Sequence, residues 1–347
     1  MSTEVSLATL GWRQHFQSQV DLDGTDTPAR VMSVHRGRIE IALESGRTIV
    51  ELHGNSATMG LTVGDWVLVN AECSQITERL QPFAMFQRRA AGTAGDIQAI
   101  AANVDTLFIV TSANRDFNVA RLERYLAIAH DAGAFPVIVI TKKDLAESPQ
   151  DYVAAAGKLS PGILVESLDA RDTDQVAVRR VWCGEGQTVA LLGSSGVGKS
   201  TIINTLSGSE QDTSATREDD QRGRHTTTSR SMHLLPDGGW LIDTPGMREL
   251  QLVDVGDALY DVFSDVVALA GQCHFNDCGH DSEPGCAVQA AIADDVLDHE
   301  RLRRYQKLQL EDKRNTESIA QRRSRDKRFG KLIKSVFSEK QKTKGGN

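Results

Sequence analysis

Eight residues near the middle of the chain constrain its fold most. Gly193-Ser194-Ser195-Gly196-Val197-Gly198-Lys199-Ser200 fits the pattern G-x-x-x-x-G-K-S/T at every fixed position. The segment follows the apolar run Val189-Ala190-Leu191-Leu192 and precedes Thr201-Ile202-Ile203-Asn204-Thr205-Leu206, which Gly208 closes. A strand, a glycine-rich loop and a helix in that order make a cradle for phosphate. Glycines let successive backbone N–H groups turn inward, and the helix N-terminus adds a favourable dipole. Lys199 is placed for the β- and γ-phosphates of a nucleotide and Ser200 for Mg²⁺, with Thr201 beside it.

A loop of this kind belongs to a parallel α/β sheet, and the neighbouring sequence supplies the strands. Thr106-Leu107-Phe108-Ile109-Val110, Val137-Ile138-Val139-Ile140 and Trp240-Leu241-Ile242 are apolar runs, as expected of strands covered on both faces. Between the first two, Asn118 can cap a helix whose face is Leu122, Tyr125, Leu126 and Ala129, ended by Gly133. These features place an α/β unit over residues 100–255. Before it, residues 29–85 alternate with period two (Ile39, Ile41, Leu43) between glycine turns, which predicts a small β-barrel. Residues 1–28 read as a flexible polar segment, 86–99 as a linker, and 256–347 as a metal-binding unit with a basic tail.

Three further segments specify the nucleotide. Thr141-Lys142-Lys143-Asp144 follows a strand; a carboxylate there accepts from guanine N1–H and the 2-amino group, neither of which adenine presents. The Lys142 stem can lie along the base. Asp243-Thr244-Pro245-Gly246 also follows a strand, with Asp243 placed for a water-bridged Mg²⁺ contact and Gly246 for the γ-phosphate. Gly223-Arg224-His225-Thr226-Thr227-Thr228 lies in the polar loop between phosphate loop and Asp243, where a threonine hydroxyl should close over Mg²⁺. The choice among the three threonines stays open, with Thr227 the candidate. Met247 stands where a water-orienting glutamine is usual, so hydrolysis unaided should be slow, and His225 is the candidate for the missing group. Only about ten residues separate Gly246 from the C-terminal unit, so a switch there can pull on it.

Cys273-x4-Cys278-x-His280-x5-Cys286 offers three thiolates and one imidazole, a closed set suited to a structural Zn²⁺. His274 is left outside that set, and Cys73 and Cys183 are isolated core candidates. The chain carries net charge −8, yet residues 301–347 hold 16 Lys and Arg against 5 Asp and Glu. A basic tail on an acidic body points to a polyanionic partner. There is no apolar run long enough for a membrane span, and Met1 to Leu22 has no basic stretch followed by an apolar core. A cytoplasmic location and a monomer are the expectations.

The guanine segment, phosphate loop and two switches occur in permuted order, since base recognition ordinarily comes last. That order, the preceding barrel and Cys-His-Phe-Asn-Asp-Cys-Gly-His-Asp-Ser-Glu-Pro-Gly-Cys at 273–286 resemble the ribosome small-subunit-dependent GTPase A family (RsgA, also called YjeQ), over about residues 30–335. The resemblance implies an OB-fold, a circularly permuted GTPase domain and a C-terminal zinc domain. It also implies GTP hydrolysis stimulated by the small ribosomal subunit, with a role in its late maturation and contact with its rRNA. It points at His225 as well. The rival readings are a permuted GTPase acting on another RNA particle, and a zinc-stabilised RNA-binding module with vestigial nucleotide binding.

Overall fold

The computed structural model describes residues 5–21, 24–54, 59–89, 97–208, 230–243, 250 and 255–316. Five strands come first: β1 (Thr27–His35), β2 (Arg38–Leu43), β3 (Gly46–Glu51), β4 (Trp66–Val69) and β5 (Ile76–Arg79). β1 is long enough to pair with β4 through its first half and β2 through its second, so the sheet bends around it in the order β5-β4-β1-β2-β3. The alternating residues read from the sequence (Ile39, Ile41, Leu43) point into one apolar core with Val31, Val50 and Val67. A β3–β5 pairing that would close a barrel is absent among the described residues.

The segment expected to be a linker is partly a hairpin of β6 (Met85–Arg89) and β7 (Ile97–Ala102). The α/β unit follows. Strands β8 (Thr106–Ser112), β9 (Phe135–Thr141), β10 (Leu164–Ser167), β11 (Thr188–Gly193) and β13 (Trp240–Asp243) run parallel in the order β10-β9-β8-β11-β13. All seven residues of β8 and all six of β11 are buried, which matches their unbroken apolar sequence. The sheet is not purely parallel as expected: β12 (Arg230–Leu234) adds antiparallel to β13.

β12 also pairs with β1, Ser33 opposite Ser231, so one sheet runs from the N-terminal unit into the α/β unit. The N-terminal residues reinforce that seam. They contain the short helix α1 (Gln14–Gln17), and the expectation of a flexible segment over 1–28 fails for them: Leu10 and Phe16 are buried. Trp12 and Phe16 pack on Trp66 with ring centroids 4.8 and 5.6 Å away. The Trp240 indole N–H donates to Thr9 O (2.7 Å). Arg30, fully buried on β1, donates to Leu10 O and to Thr188 Oγ1 (2.7 Å) on β11. Burial lowers its pKa to about 9.

Helices cover the sheet: α2 (Val119–Asp131), α3 (Pro149–Gly157), α4 (Thr173–Ala177) and α5 (Lys199–Ser207). Asn118 caps α2 as expected, its side chain accepting from Arg121 N (2.9 Å). Gly133 follows with φ +77°, and a Cβ there would lie 2.9 Å from Phe83 O. The C-terminal unit comprises α6 (Gly256–Val262), α7 (Ser264–Ala270), α8 (Ala287–Ala293) and α9 (His299–Thr316). A single apolar cluster extends from Phe16 and Trp66 through Leu107 and Leu126 to Leu259, Val288 and Leu302. Among the described residues no helix is long and apolar enough to cross a membrane.

Candidate nucleotide-binding site and metal centre

The parallel register brings the carboxyl ends of β8, β9, β10, β11 and β13 to one edge, where such sheets bind ligands. The phosphate loop leaves β11 there. A Cβ on Gly193 would sit 2.2 Å from Val110 O, so the loop can start only with glycine. Gly196 and Gly198 take φ of +79° and +99°, which turn the backbone into α5 at Lys199. The Lys199 ammonium donates to Gly193 O (2.8 Å) and Ser194 O, staying over the loop. Asp243 lies at the exposed end of β13, next to β11, on the same edge.

The base segment is bonded directly to this loop. Thr141, fully buried at the end of β9, donates through Oγ1 to Val197 O (2.5 Å), with Thr111 O at 3.1 Å. Lys142 adopts φ +57°, a left-handed conformation uncommon for lysine, and its ammonium donates to Gly196 O (2.8 Å). A short 3₁₀ turn over Lys143–Leu145 then presents Asp144. Two segments some fifty residues apart are thereby fixed to each other, as one nucleotide spanning base and phosphate requires. His225, Thr227 and Gly246 lie outside the described residues.

One wall of the site escaped the sequence reading. The loop after β10 stands beside the loop after β9, because Ser167 pairs with Ile140. Arg171 on that loop donates to Asp144 Oδ2 (2.7 Å) and grips Asp169 with Nε (3.1 Å) and Nη2 (3.0 Å). The guanidinium holds the Asp169 carboxyl below the usual carboxylate range. Thr205 of α5 donates toward Ala170 O (3.0 Å). The Ser167 hydroxyl is buried with no hydrogen-bond partner among the described residues. The available signal was a short strand, Leu164–Ser167, after Pro161-Gly162 and before the polar run to Asp174.

Helix α2 ties the site to the C-terminal unit. Arg121 donates to Ser194 Oγ (2.5 Å) in the phosphate loop. Arg124 pairs with Glu311 of α9 (2.5 Å) and reaches Leu250 O (3.3 Å), four residues past Gly246. Between them, Glu123 is fully buried and clamped by Arg301 (2.7 Å) and Arg304 (2.8 Å) of α9. Arg301 also bonds Asp265, Leu159 O and Val262 O, so its buried charge is fully occupied. Burial still pushes the Glu123 carboxyl above its ordinary pKa, against the pull of both arginines.

The four expected metal ligands converge. Cys273, Cys278, His280 and Cys286 place their ligand atoms within 4.8 Å of one another. Cys273 Sγ and Cys286 Sγ are 3.9 Å apart, and each is 3.6 Å from His280 Nδ1. A tetrahedral Zn²⁺ with ordinary bond lengths needs S···S of about 3.8 Å and S···N of about 3.6 Å. The donor set and its spacing therefore fit zinc with no open position. Loop chemistry holds the shape: His280 takes φ +59°, and Glu283 accepts from the N–H groups of Gly279 (2.8 Å), Asp281 (2.9 Å) and Ser282 (3.1 Å). These donors lower the Glu283 pKa to about 2. His274 is outside the converging group and packs edge-on against Phe275.

Comparison with known proteins matches this arrangement. Residues 81–253 fit the family model described as RsgA GTPase. The chain is 48% identical over 345 residues to "Small ribosomal subunit biogenesis GTPase RsgA 2" of Vibrio parahaemolyticus, covering 99% of this chain and 96% of that one. It is 49% identical over 316 residues to "Small ribosomal subunit biogenesis GTPase RsgA" of Mesorhizobium japonicum, covering 90% and 91%. In fold it resembles the crystal structure of YjeQ from Thermotoga maritima (TM-score 0.61, 23% identity, 82% and 97% covered). It also resembles YloQ, a circularly permuted GTPase (TM-score 0.59, 22% identity, 86% and 99% covered).

Proposed function

The chain belongs to the RsgA GTPase family, and from that premise we propose that it binds the small ribosomal subunit and hydrolyses GTP to GDP and phosphate during late maturation of that subunit. One observation carries the reading at the level of chemistry. Thr141 and Lys142 are hydrogen-bonded to Val197 and Gly196, which holds the segment ending at Asp144 against the glycine-rich loop despite their permuted order and supports a single site shared by base and phosphates.

In this reading Asp144 accepts from guanine N1–H and the 2-amino group, and the aliphatic stem of Lys142 covers the base. Backbone N–H groups of residues 193–201 surround the phosphates, while Lys199 leaves its carbonyl partners for the β- and γ-phosphate oxygens. Ser200, Asp243 through water, and Thr227 would hold Mg²⁺, which neutralises charge developing on the phosphoryl oxygens. His225 orients the attacking water in place of the residue that Met247 cannot supply. The Cys273, Cys278, His280 and Cys286 set holds a structural zinc, one per chain.

The barrel-like unit and the basic residues beyond 316 flank the GTPase and contact rRNA phosphates, the chain acting as a cytoplasmic monomer. Reordering of the second switch is felt at Leu250 and thence at α2 and α9, so the GTP and GDP forms bind the subunit with different affinity. The test is GTP turnover with and without purified small subunits, with large subunits and ATP as controls. Selective stimulation by small subunits supports the reading. Equal turnover with either subunit or with ATP refutes it.

A further inference from the structure

We propose that Arg171 is a positioning residue for guanine selection: it bridges the loops after β9 and β10 and fixes the orientation of the Asp144 carboxylate that reads the base. The inference rests on the assignment of Asp144 as the guanine anchor.

The geometry is that of a chain of charges. Asp169 holds Arg171 through two N–H donors, at 3.1 and 3.0 Å, and a third contact runs from Nη2 to Asp144 Oδ2 at 2.7 Å. Asp169 is itself placed by Gln175 Oε1, which accepts from its backbone N–H (3.2 Å). The Arg171 N–H closes the unit by donating to Asp169 Oδ1 (3.0 Å). An arginine fork suits this task because its planar donors set an angle as well as a distance, which a lysine ammonium cannot do. The Arg171 side chain is 70% exposed against 30% for Asp144. Such an exposed pair adds little to folding stability. Its effect falls on the direction in which Asp144 points.

That direction matters only for a two-point contact. Guanine offers N1–H and a 2-amino group, and both carboxylate oxygens must face it in the plane of the base. Each oxygen has two acceptor positions, so Oδ2 can keep Arg171 while it accepts from the base. Hypoxanthine keeps N1–H but lacks the 2-amino group, and one bond tolerates a rotated carboxylate. Loss of Arg171 should therefore weaken guanine nucleotides more than hypoxanthine nucleotides. A merely structural role for the loop would weaken both alike.

The experiment titrates the full-length, zinc- and magnesium-replete chain with GDP and with inosine diphosphate, comparing wild type, Arg171→Ala and Asp169→Asn. Wild type should prefer GDP. Arg171→Ala should lose about fivefold for GDP and about twofold for inosine diphosphate, so its preference falls two- to threefold. Asp169→Asn, which removes one of the two anchoring oxygens and the negative charge opposite Arg171 but keeps the arginine, should move the same ratio in the same direction by less. An unchanged ratio in both variants overturns the proposal, as does tighter GDP binding by Arg171→Ala, which would make Arg171 a competitor for Asp144. Failure of the wild type to bind GDP would instead overturn the assignment of Asp144.

Discussion

The nucleotide site and the Cys₃His centre are both built from loops, yet their polar groups are held differently. At the candidate nucleotide site three of the described side chains have partners inside the chain: Lys199 on Gly193 O, Lys142 on Gly196 O, Asp144 on Arg171. Those partners are carbonyls, which a ligand can replace, and a guanidinium anchored on Asp169, which a ligand can share. At the Cys₃His centre the ligand atoms of Cys273, Cys286 and His280 lie 3.6–3.9 Å from one another and Cys278 joins them within 4.8 Å, with Cys286 Sγ also accepting from Gln289 N–H (3.4 Å). One arrangement suits exchange and the other suits permanent occupancy. The buried Glu123–Arg301–Arg304 cluster lies between them and makes them parts of one body.

Metal removal should give the largest effect and the sharpest separation. Structural zinc binding is worth on the order of 10 kcal/mol in small sites. Chelation, or Cys286→Ser, should melt the segment from α7 to α8, read as loss of amide protection there, while GDP affinity changes by less than about threefold. A parallel loss of GDP binding would break the comparison.

Glu123→Ala comes next, since it takes the shared buried carboxylate from Arg301, which is buried and keeps only the Asp265 carboxylate, and from the half-buried Arg304. It should destabilise the whole chain by about 3–5 kcal/mol in denaturant unfolding. If Glu123→Ala unfolded only α9, the two sites would be separate bodies.

Lys199→Ala should weaken GTP binding by about a hundredfold, roughly 3 kcal/mol, with zinc content and melting temperature unchanged. Asp144→Asn should weaken GDP by at least about tenfold, since an amide N–H meets the 2-amino group. It should gain xanthosine diphosphate, whose 2-carbonyl accepts that N–H. Neither change should disturb the metal centre.

The smallest effect concerns Glu283. Its folded pKa is depressed from 4.5 to about 2, so its contribution is complete above the ordinary value and disappears as the pH falls toward 2. At neutral pH, Glu283→Gln should speed amide exchange at Gly279, Asp281 and Ser282 and leave exchange in β8 and β11 as it was.

The sequence made the local chemistry of both sites readable. The glycine-rich loop is flanked by a strand and a helix with fixed glycine requirements, and the three cysteines and His280 that converge lie within fourteen residues, so short spacing alone brings them together. Asn118 and Gly133 mark α2 by the same local logic. What the sequence hid depends on distant contacts. Leu10, Trp12 and Phe16 have no helical or strand period, and their packing depends on residues far along the chain: Trp66 meets Trp12 and Phe16, and Phe83 meets Phe16. Arg30 looks like a surface residue until Leu10 O and Thr188 supply its acceptors. The β1–β12 seam is made by backbone pairing, which no side chain announces. Arg171 belongs to a polar loop whose meaning comes from the strand beside it.

The central claim is that a guanine nucleotide is held between Thr141–Asp144 and Gly193–Thr201. Calorimetric titration of the magnesium-supplied protein with GDP, a nonhydrolysable GTP analogue and ADP tests it most directly. Saturable heat at one site per chain for both guanine nucleotides, with none for ADP, is the predicted result. No heat with GDP or the analogue, or equal binding of ADP, would contradict it.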